Sequence, residues 1–140
     1  MDKNILDLLT KERVCSLTIL VDSNPHASAM HFSHKDDPLI LYFSTESTSR
    51  KCKSVLEEGN AKASVVVGFS EEDWLTMQMN GEVSLVDNET LPEVKKIHYL
   101  KHPKSQKYEN DPETIFLQFK PSWWRYSDLK TDPPLYISSN

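Results

Sequence analysis

Apolar positions along the chain change period several times, and each change marks an element. Asp2 to Glu12 carries Ile5, Leu8 and Leu9 at helical spacing behind a capping Asp2, which predicts a short amphipathic helix. Val14 to Val21 is dense in β-branched residues and reads as a strand. Asp22-Ser23-Asn24-Pro25 has turn composition, so a hairpin is expected. His26 to His34 then alternates, with Ala27, Ala29, His31 and Ser33 on one face and His26, Ser28, Met30, Phe32 and His34 on the other. Its small residues leave room for a close approach to the sheet. After the turn Lys35 to Pro38, Leu39 to Phe43 is an unbroken apolar run, the pattern of a buried strand. From Lys51 onward the period shifts: Cys52, Val55 and Leu56 fall at i, i+3 and i+4, one face of a helix that Gly59 can end.

The second half repeats the alternation of strands and turns. Ala61 to Phe69, with Val65-Val66-Val67, reads as a buried strand, and Ser70 to Asp73 as a charged turn. Trp74 to Val86 is a long, partly alternating strand in which Gly81 marks a bulge or bend. Asn88 to Leu100 carries Leu91, Val94 and Ile97 as a helical stripe that His102-Pro103 terminates. Ser105 to Pro112 reads as loop. Ile115 to Phe119 is a last core strand, extended by Pro121 to Tyr126, and the tail Lys130 to Asn140 has little periodicity. Some six strands at hairpin spacing with few helices predict a mainly β (α+β) fold. The expected architecture is a six-stranded antiparallel barrel with flanking short helices, one domain over residues 1–140.

Composition narrows the class. Sixteen basic against twenty-one acidic residues leave a net charge of −5, which argues against non-specific binding of nucleic acid. Nothing approaches the ~20 apolar residues of a membrane span, and Met1 to Ile5 has no apolar signal core. A cytoplasmic location is expected, with no membrane partner and with Cys15 and Cys52 as free thiols packed in the core. Only three glycines occur, and no GxGxxG turn is present.

The chemistry concentrates at the junction Tyr42 to Leu56. Here a buried strand runs through Ser44, Thr45, Ser47, Thr48 and Ser49 into Arg50, Lys51 and a helix. Hydroxyls, two cations and a helix start together suit an anion such as phosphate. The competing reading is a capped helix start whose Arg50 and Lys51 point to water. The histidines offer less. His31 faces opposite to His26 and His34, which opposes a shared metal site, and no metal is expected. His98 and His102 are spaced i, i+4 but lack an HExxH frame, so they read as surface residues. Trp123-Trp124 reads as core or subunit interface rather than a stacking platform. Lys95-Lys96 and Lys101 to Lys107 read as solvated surface.

Tyr42 to Leu56 resembles the core motif of the pyridoxamine 5′-phosphate oxidase-like family of FMN-binding split β-barrels. The motif is a strand ending in a hydroxyl residue, Thr45, followed by a Ser–basic–Lys step, Ser49-Arg50-Lys51. The order of elements agrees from about Ile5 to Asp128, including Pro25 before the second strand. The resemblance implies an FMN phosphate held by Arg50 and Lys51 with hydroxyls of Ser44, Thr45 or Ser49. It also implies a flavin ring lined by the backbone of Ser28, Ala29, Met30 and His31, with Thr76 near it on a later strand. The family usually holds its flavin between two subunits, so a homodimer is implied, with Trp124 or a neighbour reaching the ring from the partner chain. Ser28 stands where the oxidase itself has an arginine and Ser33 near its lysine. The Arg-Leu-His core of the oxidase's substrate motif has no counterpart in Trp124-Arg125-Tyr126. These departures argue against pyridoxamine phosphate as substrate. The expectation is a short, general-stress-like member, a flavin-dependent oxidoreductase of a small molecule, with a non-catalytic flavin, deazaflavin or haem module as the alternative. A flavin supplies the redox chemistry itself, so no acid–base dyad is required and no catalytic residue is assigned.

Overall fold

The computed structural model describes residues 1–140. Its first helix, α1 (Lys3–Lys11), starts where the spacing predicts: the Asp2 carboxylate accepts the Asn4 N–H at 2.8 Å, and Ile5, Leu8 and Leu9 are buried. β1 (Val14–Val21) and β2 (Asn24–His31) form a hairpin whose turn is only Asp22-Ser23, both at positive φ. Asn24 and Pro25 therefore belong to the strand rather than to the turn. Pro25 is tolerated because β2 lies at an edge of the sheet.

β2 stops at His31, Phe32 turns into the core, and β3 (Ser33–Lys35) follows. β4 (Ile40–Glu46) leads through a 3₁₀ turn at Arg50–Cys52 into α2 (Lys53–Glu58), which Gly59 closes at φ 89°. Next come β5 (Asn60–Val67), β6 (Leu75–Leu85), α3 (Leu91–Lys101), a 3₁₀ segment at Pro103–Tyr108 where a loop was expected, β7 (Thr114–Asp128) and β8 (Leu135–Ser138). The strands number eight, not six. One extra strand arises where Phe32 breaks His26–His34 in two. The other lies in the aperiodic tail, where pairing with β7 rather than side-chain pattern makes β8 a strand.

All pairings are antiparallel, in the order β2-β1-β5-β6-β7-β4-β3, with β8 beside the far half of β7. The two ends of this order, β2 and β3, are joined through the single residue Phe32. The sheet must therefore curl until its edges meet at that point. Beyond it they diverge, because β2 pairs only with β1 and the end of β4 pairs only with β7. The result is a split β-barrel.

Inside lie 23 buried residues, among them Leu17, Phe43, Val65, Met79 and Phe119. A smaller cluster of Ile40, Tyr42, Val86, Val94, Tyr99 and Phe116 glues α3 to the outer face of β4 and β7. β4 is thus covered on both faces, Leu41 and Phe43 inward and Ile40 and Tyr42 outward, which explains its unbroken apolar run. The register of β6 against β7 shifts between Asn80 and Gly81, at the expected bulge. A Cβ on Gly81 would lie 2.2 Å from the Lys120 carbonyl oxygen, so only glycine fits. No helix is long and apolar enough to cross a membrane.

Candidate functional site

Where the barrel splits, a cleft of about 350 Å³ opens between the ends of β2 and β4. Its walls are Ala29, Met30 and His31 of β2 and Ser44, Thr45 and Glu46 of β4. His98 of α3, Ser105 and Tyr108 of the following 3₁₀ segment and Thr114 of β7 complete it. The cleft falls within the usual size range of small-molecule sites. Both strand ends meet it with an edge that has no pairing strand, so backbone donors and acceptors face it. Five of the residues implied by the resemblance, Ala29, Met30, His31, Ser44 and Thr45, come together here.

His98 and His102 depart from the sequence reading. Both are buried, at 1% and 4% exposure, because α3 lays them against β3 and Phe32 rather than toward water. His102 Nε2 donates to the Phe32 carbonyl at 2.7 Å, and its Nδ1 accepts from the Arg13 guanidinium at 3.2 Å. That ring is a strut between α3 and the β2–β3 corner. His98 Nδ1 lies 2.8 Å from the Ser33 hydroxyl. Burial first, then the neighbouring His102, lowers the His98 pKa to about 4, so the ring is neutral near pH 7. The His31 and His98 rings each lie 5.0 Å from that of His102, yet no group of three or more His, Cys, Asp or Glu is placed to hold a metal ion. Lys101 is also no free surface lysine. Its ammonium donates to the Leu9 carbonyl at 2.8 Å and lies 4.0 Å from the centre of the Phe32 ring. A signal for His98 was present in the sequence: with half-buried Leu91 and buried Val94 it continues the inward stripe of α3.

Ser49, Arg50 and Lys51 lie one turn beyond Glu46, where the 3₁₀ turn packs against β1 and β2. Ser49 Oγ donates to the Glu46 carbonyl at 2.8 Å and accepts from Lys51 Nζ at 3.1 Å. The chain's salt bridges are Lys11–Asp73, His34–Asp36 and Lys53–Asp22. Arg50 and Lys51 are thus left without a carboxylate partner. Because α2 has six residues and begins with a 3₁₀ turn, charge at this end comes from side chains more than from a helix terminus.

Thr76 and Trp124 do not line the cleft. Thr76 sits three strands away from β2, donates to the Val67 carbonyl at 3.2 Å, and borders a separate hollow with Phe69 and Trp74. Trp124 is half-buried against the core from β7. Ser28 faces the same side as Leu17, and its hydroxyl is buried without a hydrogen-bond partner. It is one of only two such side-chain atoms, and it is sealed on the core side of β2, outside the cleft lining. Two cations without a carboxylate partner and open strand edges fit a phosphate-bearing cofactor laid along β2 and β4.

The family model described as pyridoxamine 5′-phosphate oxidase matches residues 1–128. The chain belongs to this family. No curated protein sequence matches it. Among solved structures, the oxidase-family fold recurs in the General Stress Protein 26 of Bacillus anthracis, with 22% identity, 96% of this chain and 95% of that one covered, and a TM-score of 0.70. A conserved hypothetical protein of Mycobacterium tuberculosis has 16% identity, 100% and 92% coverage and a TM-score of 0.72. The haem binding protein of Mycobacterium smegmatis has 12% identity and a TM-score of 0.75. That match takes in 95% of this chain, which spans about half (55%) of the length of the Mycobacterium smegmatis protein. At these identities the likeness is one of fold. The oxidase-family split barrel is a fold of the flavin-binding type. Glu46, Ser105, Tyr108 and Thr114 line the cleft without having been singled out in the sequence, and His98, read there as surface, joins them.

Proposed function

We propose that this member of the oxidase family is an FMN-binding flavoprotein, a flavin-dependent oxidoreductase of a small molecule. The observation that carries the reading is the pairing of the open cleft with two cations, one turn away, that no carboxylate pairs. Arg50 and Lys51 would hold the phosphate by charge-assisted hydrogen bonds. Ser49 would contribute a lone pair and, on rotating away from Glu46, a proton. The exposed backbone edge of Ser28 to His31 would orient the ring. The bound flavin would supply hydride and electron transfer, and the protein's part is to position it and exclude water.

A homodimer belongs to the proposal. Thr76 and Trp124 stand away from the cleft of their own chain, so any contact they make with cofactor is to the partner's. Two free, buried cysteines fit a reducing compartment such as the cytoplasm. A non-catalytic haem-binding module is the second reading. It is favoured by the fold shared with the Mycobacterium smegmatis haem binding protein and by His31 on the cleft wall.

Titration of the purified protein with FMN, followed by quenching of flavin fluorescence, tests the first reading. Saturable binding at micromolar concentration is the expected result. Saturation with haemin and none with FMN would replace it by the second. Sedimentation at micromolar concentration tests the dimer, and a single monomeric species would remove that part.

A further inference from the structure

His98 is almost fully buried, lines the cleft, and has one ring nitrogen to spare. Nδ1 is engaged by Ser33 at 2.8 Å, whereas Nε2 has no partner within the chain. Nε2 is not among the sealed, unpartnered atoms, which are Ser28 Oγ and Tyr99 OH alone. It therefore keeps a narrow contact with solvent, and the cleft is one that the residue lines.

Ser33 decides which proton His98 carries. The Ser33 hydroxyl is buried and has no hydrogen-bond partner other than His98. Were Nδ1 protonated, it would donate to Ser33, and the serine proton would have no acceptor in a dry site, which is costly. With the serine donating to Nδ1, both groups are satisfied and the ring proton resides on Nε2. The neutral ring then presents an N–H into the cleft. No lysine or arginine lines the cleft, and its one formally charged wall residue is Glu46.

Resting on the reading of this cleft as the ligand site, we infer that His98 is its specificity-determining hydrogen-bond donor, and that the substrate taken there beside the flavin offers an uncharged acceptor, such as a ring carbonyl, and carries no phosphate of its own. Ser33 is the positioning residue that holds the tautomer. A carbonyl oxygen accepts from Nε2–H without bringing charge into a buried site. A phosphate dianion would meet Glu46 and find no cation within the cleft.

The test uses ¹⁵N-labelled protein, free and FMN-loaded, with duroquinone as an uncharged ring carbonyl and pyridoxine 5′-phosphate as a phosphate-bearing ring. Nitrogen shifts of His98 are expected to report Nε2 protonated and Nδ1 bare at pH 7. Duroquinone should bind more tightly than the phosphate ester. His98→Phe should weaken duroquinone by about tenfold, the loss of one buried donor, and His98→Gln, which keeps an N–H near Nε2, by about threefold or less. Ser33→Ala should mix the two tautomers and weaken duroquinone severalfold with the histidine still present. A proton on Nδ1, tighter binding of the phosphate ester, equal duroquinone affinity in His98→Phe, or no duroquinone binding up to its solubility limit would each overturn the inference. Failure of FMN alone to bind would remove the flavin reading. The tautomer and the duroquinone series on FMN-free protein would still decide the role of His98.

Discussion

Two hollows on this barrel differ in size and chemistry, and the larger is the less suited to a ligand. The larger, about 830 Å³, lies on the outer face over Thr18, Lys62, Ser64, Asn80, Glu82 and Lys120. It crosses consecutive paired strands, so the backbone beneath it is consumed by the sheet. Lys62 and Lys120 stand opposite Glu82 in the strand register, so its charges are of mixed sign, and Ser64 Oγ donates to Asn80 at 3.1 Å. The smaller cleft, about 350 Å³, sits where pairing stops and so inherits unpaired strand edges and a buried histidine with a free nitrogen. Volume measures curvature of the sheet. Unsatisfied polar groups mark where a partner is missing.

The sharpest way to break the comparison is at the floor of the large hollow. Gly81→Val drives side-chain carbon into the Lys120 carbonyl, so a loss of about 3 kcal/mol or more is expected in urea unfolding, since backbone must move. A stable variant would mean that the β6–β7 bulge is not fixed by close approach. At the cleft end, Arg50→Ala with Lys51→Ala should weaken FMN by about 3 kcal/mol, roughly a hundredfold, with little change in stability. Unaltered FMN affinity would remove these cations from the phosphate site.

The buried histidine adds a pH dependence that the outer hollow lacks. Folding holds His98 at about 4 against its ordinary 6.5, chiefly by burial. Between these values the unfolded chain takes up a proton that the folded chain refuses. Stability should therefore fall as pH drops from 6.5 toward 4, by up to about 3 kcal/mol, and this contribution should level off below 4. His102 and His34, lowered mainly by burial, act in the same sense. Urea midpoints at pH 7, 5.5 and 4.5 measure it, and a flat profile would mean that His98 charges inside the folded protein. The smallest effect belongs to the large hollow's surface. Lys62→Ala should change stability by no more than about 0.5 kcal/mol, because an exposed cross-strand pair is worth little. A larger loss, growing with protein concentration, would make this face the subunit interface.

The chain reveals its elements wherever one physical demand acts on consecutive residues. Ile5, Leu8 and Leu9 must face one core, so α1 shows in the spacing. Leu39 to Phe43 is covered on both sides, so no polar residue interrupts it. Gly59 stands at a left-handed cap that strains any side chain, and Gly81 where a close backbone approach leaves no room for one. The anion-type step Ser49-Arg50-Lys51 is legible for the same reason, since its residues are neighbours in the chain. What stayed hidden depends on partners distant in sequence. β8 exists because β7 offers an edge, and β2 ends because Phe32 must enter the core. His98 and His102 are polar and i, i+4, which by itself reads as surface. Only α3 packing over β3 and Phe32 buries them and gives each a partner 65 or 70 residues away. Local sequence determined the strands, the turns and the charged step, because those follow from adjacent side chains. Tertiary structure decided the split, the cleft and the protonation of its histidine, because those follow from which edges remain unpaired once the sheet has closed.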